Sequence, residues 1–253
     1  KNYYTYGGLP HTLALMGDQK KSDYLLNVYR KTYLTDIKER YEIKEHEFGE
    51  LAKILASSIG SFCNPNKLTN TFKSEEHIEL SYPTISKYLS YLQDSFLVEK
   101  AERFDIKGRK YIGALSKYYF CDLGVRNAIL NFRQQEENHI MENILYNELR
   151  ARGYKVDVGV VESKRNIGGK TVRQQYEVDF VINEGSNRYY LQSAFALPTA
   201  EKEEQERHSL TLINDSFKKI IIVKDDIKPK RDEYGILTVG LLDFLLRRDY
   251  LVP

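Results

Sequence analysis

The sequence predicts a protein of mixed class, α+β with an α/β carboxy-terminal part. Three observations lead there. Before about residue 60, apolar residues recur at three- and four-residue spacing, the mark of amphipathic helices. Between residues 61 and 120, two short helical stretches precede two strand-like runs joined by a turn. From residue 155 onward, strand-length apolar runs alternate with turns and a polar helix, the order of a sheet covered by helices. A chain of 253 residues can form one large or two modest domains. Its 42% hydrophobic and 29% charged residues suit folded cores.

Composition narrows the function classes. No apolar run is long enough to span a bilayer, and no signal-peptide pattern is present. The net charge of +2 argues against a chain built throughout to bind polyanions. Cys63 and Cys121 lie far apart without partners at metal-binding spacing, which predicts a reduced, cytoplasmic setting.

In chain order, Gly7, Gly8 and Pro10 mark a turn or helix entry. Leu25, Val28, Tyr29, Thr32 and Tyr33 predict a helix from about Lys20, and Phe48, Leu51, Ile54 and Leu55 another over Glu45–Ser58 ending at Gly60. Pro65–Phe72 reads as a short helix. Ser81 can cap the next, with Pro83 in its first turn and Ile85, Leu89, Leu92 and Phe96 as its buried stripe. Thr84, Lys87 and Tyr91 lie on another side. Two strands follow around Lys107-Gly108-Arg109. Helix, turn, helix and hairpin is the order of a winged helix. The hairpin is basic at Lys100, Arg103, Lys107, Arg109, Lys110 and Lys117, against Glu102 and Asp105. Thr84, Lys87, Arg103, Lys107, Arg109 and Lys110 are therefore candidate phosphate contacts. The alternatives are a solvated hairpin or a protein-docking module.

A linker rich in Gln, Glu and Asn near 133–138 leads to a helix with Met141, Leu145 and Leu149 as its stripe and Glu142 at the edge. Lys155–Val161 predicts a strand. Gly169-Lys170-Thr171 is not a phosphate loop, because Lys164 stands where the earlier glycine is required; a hairpin turn is expected. Thr199 can cap a helix that starts with Glu201, Glu203 and Glu204, placed to suit the helix dipole. Lys218–Val223 and the run at 235–239 read as strands, and 240–247 as a closing helix.

The most informative stretch is Tyr176–Leu197. Tyr176, Val178, Phe180 and Ile182 alternate with Glu177, Asp179 and Val181, which predicts a strand with both carboxylates on one face. A turn at 183–187 leads to a second strand whose even positions carry Tyr190, Gln192, Ala194 and Ala196. This pair resembles the core of the PD-(D/E)XK nuclease fold, a restriction-endonuclease-like α/β domain. There, an acid on one strand and an acid-x-lysine on the next hold a divalent metal and activate water. Asp179 matches the first acid, Gln192 the second acid and Ala194 the lysine. The resemblance also implies an acid from the preceding helix, at Glu142. A neutral amide is a weaker magnesium ligand and alanine cannot orient a water. The implied site of Glu142, Asp179, Gln192 and Ala194 is therefore degenerate, with Glu142 and Asp179 as the residues that could hold a metal. A nuclease would use Glu142 and Asp179, with Glu177 as an optional further acid and Lys202 as the candidate to replace the missing lysine. Otherwise Glu177 and Asp179 are a solvated face or an ion pair, and Glu142 caps or pairs with a base.

Across nearly its whole length the chain resembles the domain of unknown function that follows the nucleotide-binding core in many prokaryotic AAA-type ATPases. The resemblance rests on GGLP, on Asp36–Tyr41, and on the run TISKYLSYLQDSFLVEKAERFD. It also rests on KYYFCDLGVRN, Glu142-Asn143, EVDFV, LQSAFAL, and Glu206-Arg207 before KKIIIV. It implies residues 1–60 as a helical linker at the end of the ATPase lid, 61–132 as a winged helix, and 133–253 as the nuclease-like domain. It further implies an ATPase core on the same polypeptide ahead of Lys1. ATP and magnesium would belong to that parent protein, with no cofactor in this chain beyond a divalent metal. Duplex DNA is a candidate partner, a membrane is not, and oligomers are allowed. The competing readings are a metal-dependent nuclease and a pure protein-interaction module.

Overall fold

The computed structural model describes residues 2–133, 136–167 and 170–252. It is a mixed α+β structure, with a helical amino-terminal region followed by a mixed sheet with helices. The helices are α1 (Asn2–Tyr6), α2 (Pro10–Ala14), α3 (Asp18–Asn27), α4 (Thr35–Arg40), α5 (Glu45–Ser57), α6 (Pro65–Thr71) and α7 (Tyr82–Asp94). Strands β1 (Val98–Asp105) and β2 (Lys110–Phe120) precede α8 (Leu123–Ile129) and α9 (Glu137–Ala151). Then come β3 (Val156–Ile167), β4 (Lys170–Glu184), β5 (Asn187–Ala194), α10 (Ala200–Thr211), β6 (Lys218–Val223), β7 (Lys230–Arg231), β8 (Leu237–Gly240) and α11 (Leu241–Leu246). Wide π-helical turns continue α3 over Val28–Leu34 and α6 over Phe72–Glu76. Glycines 168 and 169, where the hairpin turn is expected, and Gln134 and Gln135 of the linker lie outside the described residues.

The chain divides into two compact units. One comprises Lys1–Lys100 with Leu115–Asn143, the other Ala101–Ala114 with Ile144–Pro253. In the first unit, α7 packs on α5 and α6. Ser81 caps α7, its side chain accepting the Thr84 N–H, and Ile85, Leu89 and Leu92 are buried as the spacing requires. Phe96 departs from that stripe. The helix ends at Asp94, Phe96 adopts a left-handed φ of 56°, and its ring is 73% exposed. A stripe cannot continue past the point where the backbone leaves the helix.

Two distant motifs are halves of one contact in this unit. Gly8 N–H donates to Asp122 Oδ2 at 2.8 Å, and Asp122 Oδ1 accepts the Val125 N–H at 2.9 Å, capping α8. Asn127 Nδ2 donates to the carbonyls of Tyr4 and Thr5 at 2.9 and 3.0 Å. Arg126 is fully buried and donates through Nε to Ala56 O at 2.8 Å and through Nη1 to Asn127 Oδ1 at 2.9 Å. Burial lowers its guanidinium pKa to about 10. Gly7 needs its positive φ of 69°, and a Cβ on Gly124 would overlap Tyr6 O.

The strands form one sheet of order β2-β1-β3-β4-β5-β6-β8-β7, and the second unit holds β3 to β8 with the Ala101–Ala114 parts of β1 and β2. β1 runs parallel to β3, while β3, β4 and β5 are antiparallel neighbours. β5, β6 and β8 are parallel, and the short β7 closes the edge antiparallel to β8. The hairpin of the expected winged helix continues this sheet through β1, with Arg103 opposite Val158. Unpaired strand edges recruit partners, and β3 supplies one for β1. Val178, Val181, Tyr190 and Ala194 share a core cluster with Leu210 and Ile213, which brings α10 over β4 and β5.

The crowded Gly124 gives a direct test. Gly124→Ala is expected to lower unfolding stability by roughly 1–3 kcal/mol through overpacking. Gly49→Ala, inside α5 with nothing within 4 Å of a new Cβ, is expected to stabilise by roughly 0.5–1 kcal/mol. Equal denaturation midpoints for the two variants would remove this account of the Tyr6–Gly124 contact.

Candidate functional site

Strand β4 is not regular where its acid sits. Val178 lies opposite Gly159 and Val181 opposite Asp157, so three steps on β4 match two on β3. The extra residue falls at Asp179-Phe180 as a β-bulge, a device that re-aims a side chain. The expected strict alternation is thereby broken, because Val178 and Val181 both enter the same core cluster. Asp179 is buried, and its Oδ2 accepts the Ser193 N–H of β5 at 2.7 Å. Its own N–H donates to Gln192 Oε1 at 3.4 Å. Ligand oxygens of Glu177 and Asp179 lie within 4.8 Å of each other.

Gln192 and Ala194 are neighbours of unlike character. Gln192 Nε2 donates to Glu206 Oε2 of α10 at 3.4 Å, and Glu206 Oε1 pairs with Lys202 at 2.5 Å. Lys202 thus sits one turn from Glu206 in an i,i+4 pair and is held by that carboxylate. Ala194 is 2% exposed inside the apolar cluster. Over Gln192 opens a cleft of about 470 Å³, lined from the sheet by Tyr176, Glu177 and Gln192. Helix α10 adds Glu201, Glu204, Gln205, Glu206, His208 and Ser209. Sequence reasoning passed over His208 and Ser209; their one signal is that they follow Glu204 and Gln205 by a helical turn.

Glu142 belongs to the first unit, where it pairs with a buried lysine. Lys117 of β2 donates to its Oε1 at 2.8 Å, and the Tyr119 hydroxyl donates to the same oxygen at 2.6 Å. His139 Nδ1 stands 3.9 Å from Oε2, and the Lys117 side chain is only 3% exposed. Burial alone would raise the Glu142 carboxyl. Lys117, His139 and Tyr119 outweigh it and hold the group below the ordinary carboxylate range. The Glu142 carboxylate in turn raises the His139 imidazole.

The basic candidates separate between the units. Thr84 and Lys87 are on α7 of the first; Lys87 is exposed, and the Thr84 hydroxyl lies 2.9 Å from Ser81 Oγ. Arg103, Lys107, Arg109 and Lys110 are in the second. Arg103 donates to Gln175 at 3.1 Å and Lys107 to Glu162 O at 2.7 Å. Arg109, at a left-handed φ of 52°, and Lys110 are exposed at the hairpin tip.

A family model described as Domain of unknown function (DUF8612) matches residues 1–136, more than half of the chain. The chain belongs to this family. The DUF8612 match takes in the Gly8–Asp122 contact and α7 but stops before Glu142 and the cleft. An uncharacterized protein of Haemophilus influenzae is 32% identical over 246 residues, 97% of this chain and 57% of its own length. Another, from Methanocaldococcus jannaschii, is 28% identical over 204 residues, 80% of this chain and 43% of its own length. The chain thus spans about half the length of the curated relatives it matches. Among solved structures, protein VC1899 from Vibrio cholerae is 13% identical with a TM-score of 0.26, covering 91% of this chain and 55% of its own. Can2 from Sulfobacillus thermosulfidooxidans, in complex with cyclic tetra-adenylate, is also 13% identical with a TM-score of 0.26, covering 93% and 54%. At that score neither likeness carries an argument. Among the described residues no helix is long and apolar enough to cross a membrane.

The buried pair at Glu142 predicts both stability and its pH dependence. Lys117→Met strands the carboxylate and is expected to cost about 3–5 kcal/mol, most of it recovered in Lys117→Met/Glu142→Leu. The depressed Glu142 pKa adds stability above the unfolded value of about 4.3, lost as pH falls through the folded value. The raised His139 pKa adds stability below about 6.5, lost as pH rises through its folded value. Urea titrations from pH 3 to 8 check both, and a single and double variant equally unstable would refute the pairing.

Proposed function

We propose that the chain is the non-ATPase carboxy-terminal part of an AAA-type protein, in which the second unit is a nuclease-like scaffold that does not cleave. The observation that carries the scaffold reading is the Asp179 neighbourhood. One of its carboxylate oxygens accepts the Ser193 N–H, its own N–H meets the neutral Gln192 side chain, and Ala194 is buried among apolar groups. Phosphodiester hydrolysis needs a metal-activated water and stabilisation of developing charge. Without the second acid and the ammonium, neither is supplied in the usual way. The ATPase context rests on the resemblance of the motifs from GGLP through KKIIIV. It predicts a phosphate-loop module ahead of Lys1 in the full reading frame, and a frame without one removes that part.

The basic hairpin tip, Lys107, Arg109 and Lys110, is proposed as a contact for duplex DNA, with the ATPase core as the competing partner. Fluorescence titration with duplex DNA across a salt series is the test. Changing Arg103, Lys107, Arg109 and Lys110 to alanine is expected to flatten the slope of log K against log salt by about 0.9 for each lost phosphate contact. No binding at low salt, or no effect of the four changes, removes DNA and leaves the ATPase core.

One observation favours a second reading: the approach of Glu177 to Asp179 within 4.8 Å. One or two carboxylates suffice to hold magnesium with its waters. A metal-dependent nuclease would use Asp179 and Glu177, with Glu142 as the resemblance implies and Lys202 as the base. The scaffold reading expects no cleavage of single- or double-stranded DNA in magnesium or manganese. Cleavage that disappears in Asp179→Asn would establish the nuclease instead.

A further inference from the structure

Strands β3 and β4 run on together past the rest of the sheet. The pairing of β1 with β3 ends at Val160, and β5 pairs with β4 only from Phe180 onward. Beyond those points residues 162–167 and 170–175 face each other in six pairs, from Glu162–Gln175 to Ile167–Lys170, with no third strand among the described residues. At about 3.3 Å per residue this ribbon is roughly 20 Å long. Lys164, Asn166 and every residue from Thr171 to Gln175 are exposed. A two-stranded ribbon is marginal in water, so an arm of this kind is not explained by burial.

Its chemistry is one-sided. The sequence 162–175 carries Lys164, Arg165, Lys170 and Arg173 against a single carboxylate, Glu162. Directly opposite residues share a face, as do residues two apart on one strand. Glu162, Lys164, Asn166, Thr171, Arg173 and Gln175 therefore make one face, polar at every position. On it Lys164 lies opposite Arg173, a like-charge pair that costs stability when nothing anionic lies between. Glu162 comes no nearer to Arg173 than 3.9 Å. Charge of either sign protects a strand edge, whereas an excess of one sign suits a polyanion. The β1–β2 turn, in the same unit, braces the root of the ribbon. Arg103 donates to Gln175 Oε1 at 3.1 Å and Lys107 Nζ to Glu162 O at 2.7 Å, with Arg109 and Lys110 exposed beyond them.

We propose that this ribbon enters the major groove of duplex DNA, with Lys164 and Arg173 on phosphates and Asn166 and Thr171 toward base edges. The groove is about 12 Å wide and admits a two-stranded ribbon, which the minor groove, at about 6 Å, does not. Lys and Arg neutralise phosphates, while amide and hydroxyl side chains exchange hydrogen bonds with base edges. The face supplies both kinds of group, and its lone carboxylate stands at the root, the end farthest from the groove floor. The inference rests on the duplex-DNA reading of the hairpin tip for its partner, and adds to it the element that enters the groove.

The probe is a fluorescent duplex titrated with the full chain across a salt series. Lys164→Ala/Arg173→Ala is expected to weaken binding about tenfold or more and to flatten the slope of log K against log salt by about 1.8, or about 0.9 for each lost contact. Glu162→Gln, which removes the carboxylate beside Arg173, is expected to tighten binding. Lys228→Ala, an exposed lysine of the loop before β7, should change neither affinity nor slope beyond the scatter of the assay. A duplex glucosylated on 5-hydroxymethylcytosine keeps its phosphates but has sugars filling the major groove, and it should bind at least tenfold more weakly. Netropsin, which occupies the minor groove, should not compete. Thermal melts confirm folding, and Lys164→Gln/Arg173→Gln decides the case if the alanine pair is unstable. Unchanged affinity in the ribbon variants overturns the proposal, as does equal binding of the glucosylated duplex. Binding that falls in Arg109→Ala/Lys110→Ala but not in the ribbon variants keeps the tip reading and removes this one. Binding that falls only in the ribbon variants does the reverse, and no binding at low salt removes both.

Discussion

The second unit depends on a conflict resolved inside one strand. β4 must bury apolar side chains against α10 while keeping the Asp179 carboxylate supplied with a donor. A regular pleat can serve only one of these demands on each face, because successive side chains alternate. The bulge at Asp179-Phe180 adds a residue, so Val178 and Val181 both reach the core and the carboxylate meets the Ser193 N–H. An unpaired buried carboxylate would be costly, and a backbone donor is the least expensive local remedy. The neighbours Gln192 and Glu177 are placed by that local geometry.

Charge is handled differently in the two units. In the first, Glu142 and Lys117 are withdrawn from water together, with Tyr119 donating to the same carboxylate oxygen. Such a pair contributes little net stability but makes each member indispensable to the other. In the second, carboxylates gather along α10 over the sheet while cations stand at the hairpin tip. A net charge of +2 conceals this segregation. Whole-chain charge describes solubility, whereas local fields select ligands.

Much of the fold was legible because period and punctuation agree. The caps at Ser81 and Thr199 sit where hydroxyls precede helical spacing, and both accept backbone N–H groups as that position demands. The runs at Lys218–Val223 and Tyr176–Ile182 are strands, as their apolar patterns indicate. Phe96 was misplaced because spacing cannot register a left-handed turn that ends the helix just before it. The hairpin was legible as two strands, but its parallel pairing with β3 was not. Register between segments some 55 residues apart leaves no local signal.

The sequence by itself determined the class, the order of elements and the absence of an acid and a lysine at Gln192 and Ala194, since these are questions of residue type and period. Only the tertiary structure decided that Asp179 sits in a bulge, that Glu142 is paired with Lys117, and that Glu177 and Gln192 of the sheet line one cleft with α10. The physical reason is common to all three. Each depends on which distant backbone supplies a donor, a counter-charge or a wall, and such partners are chosen by packing after the local pattern has been spent.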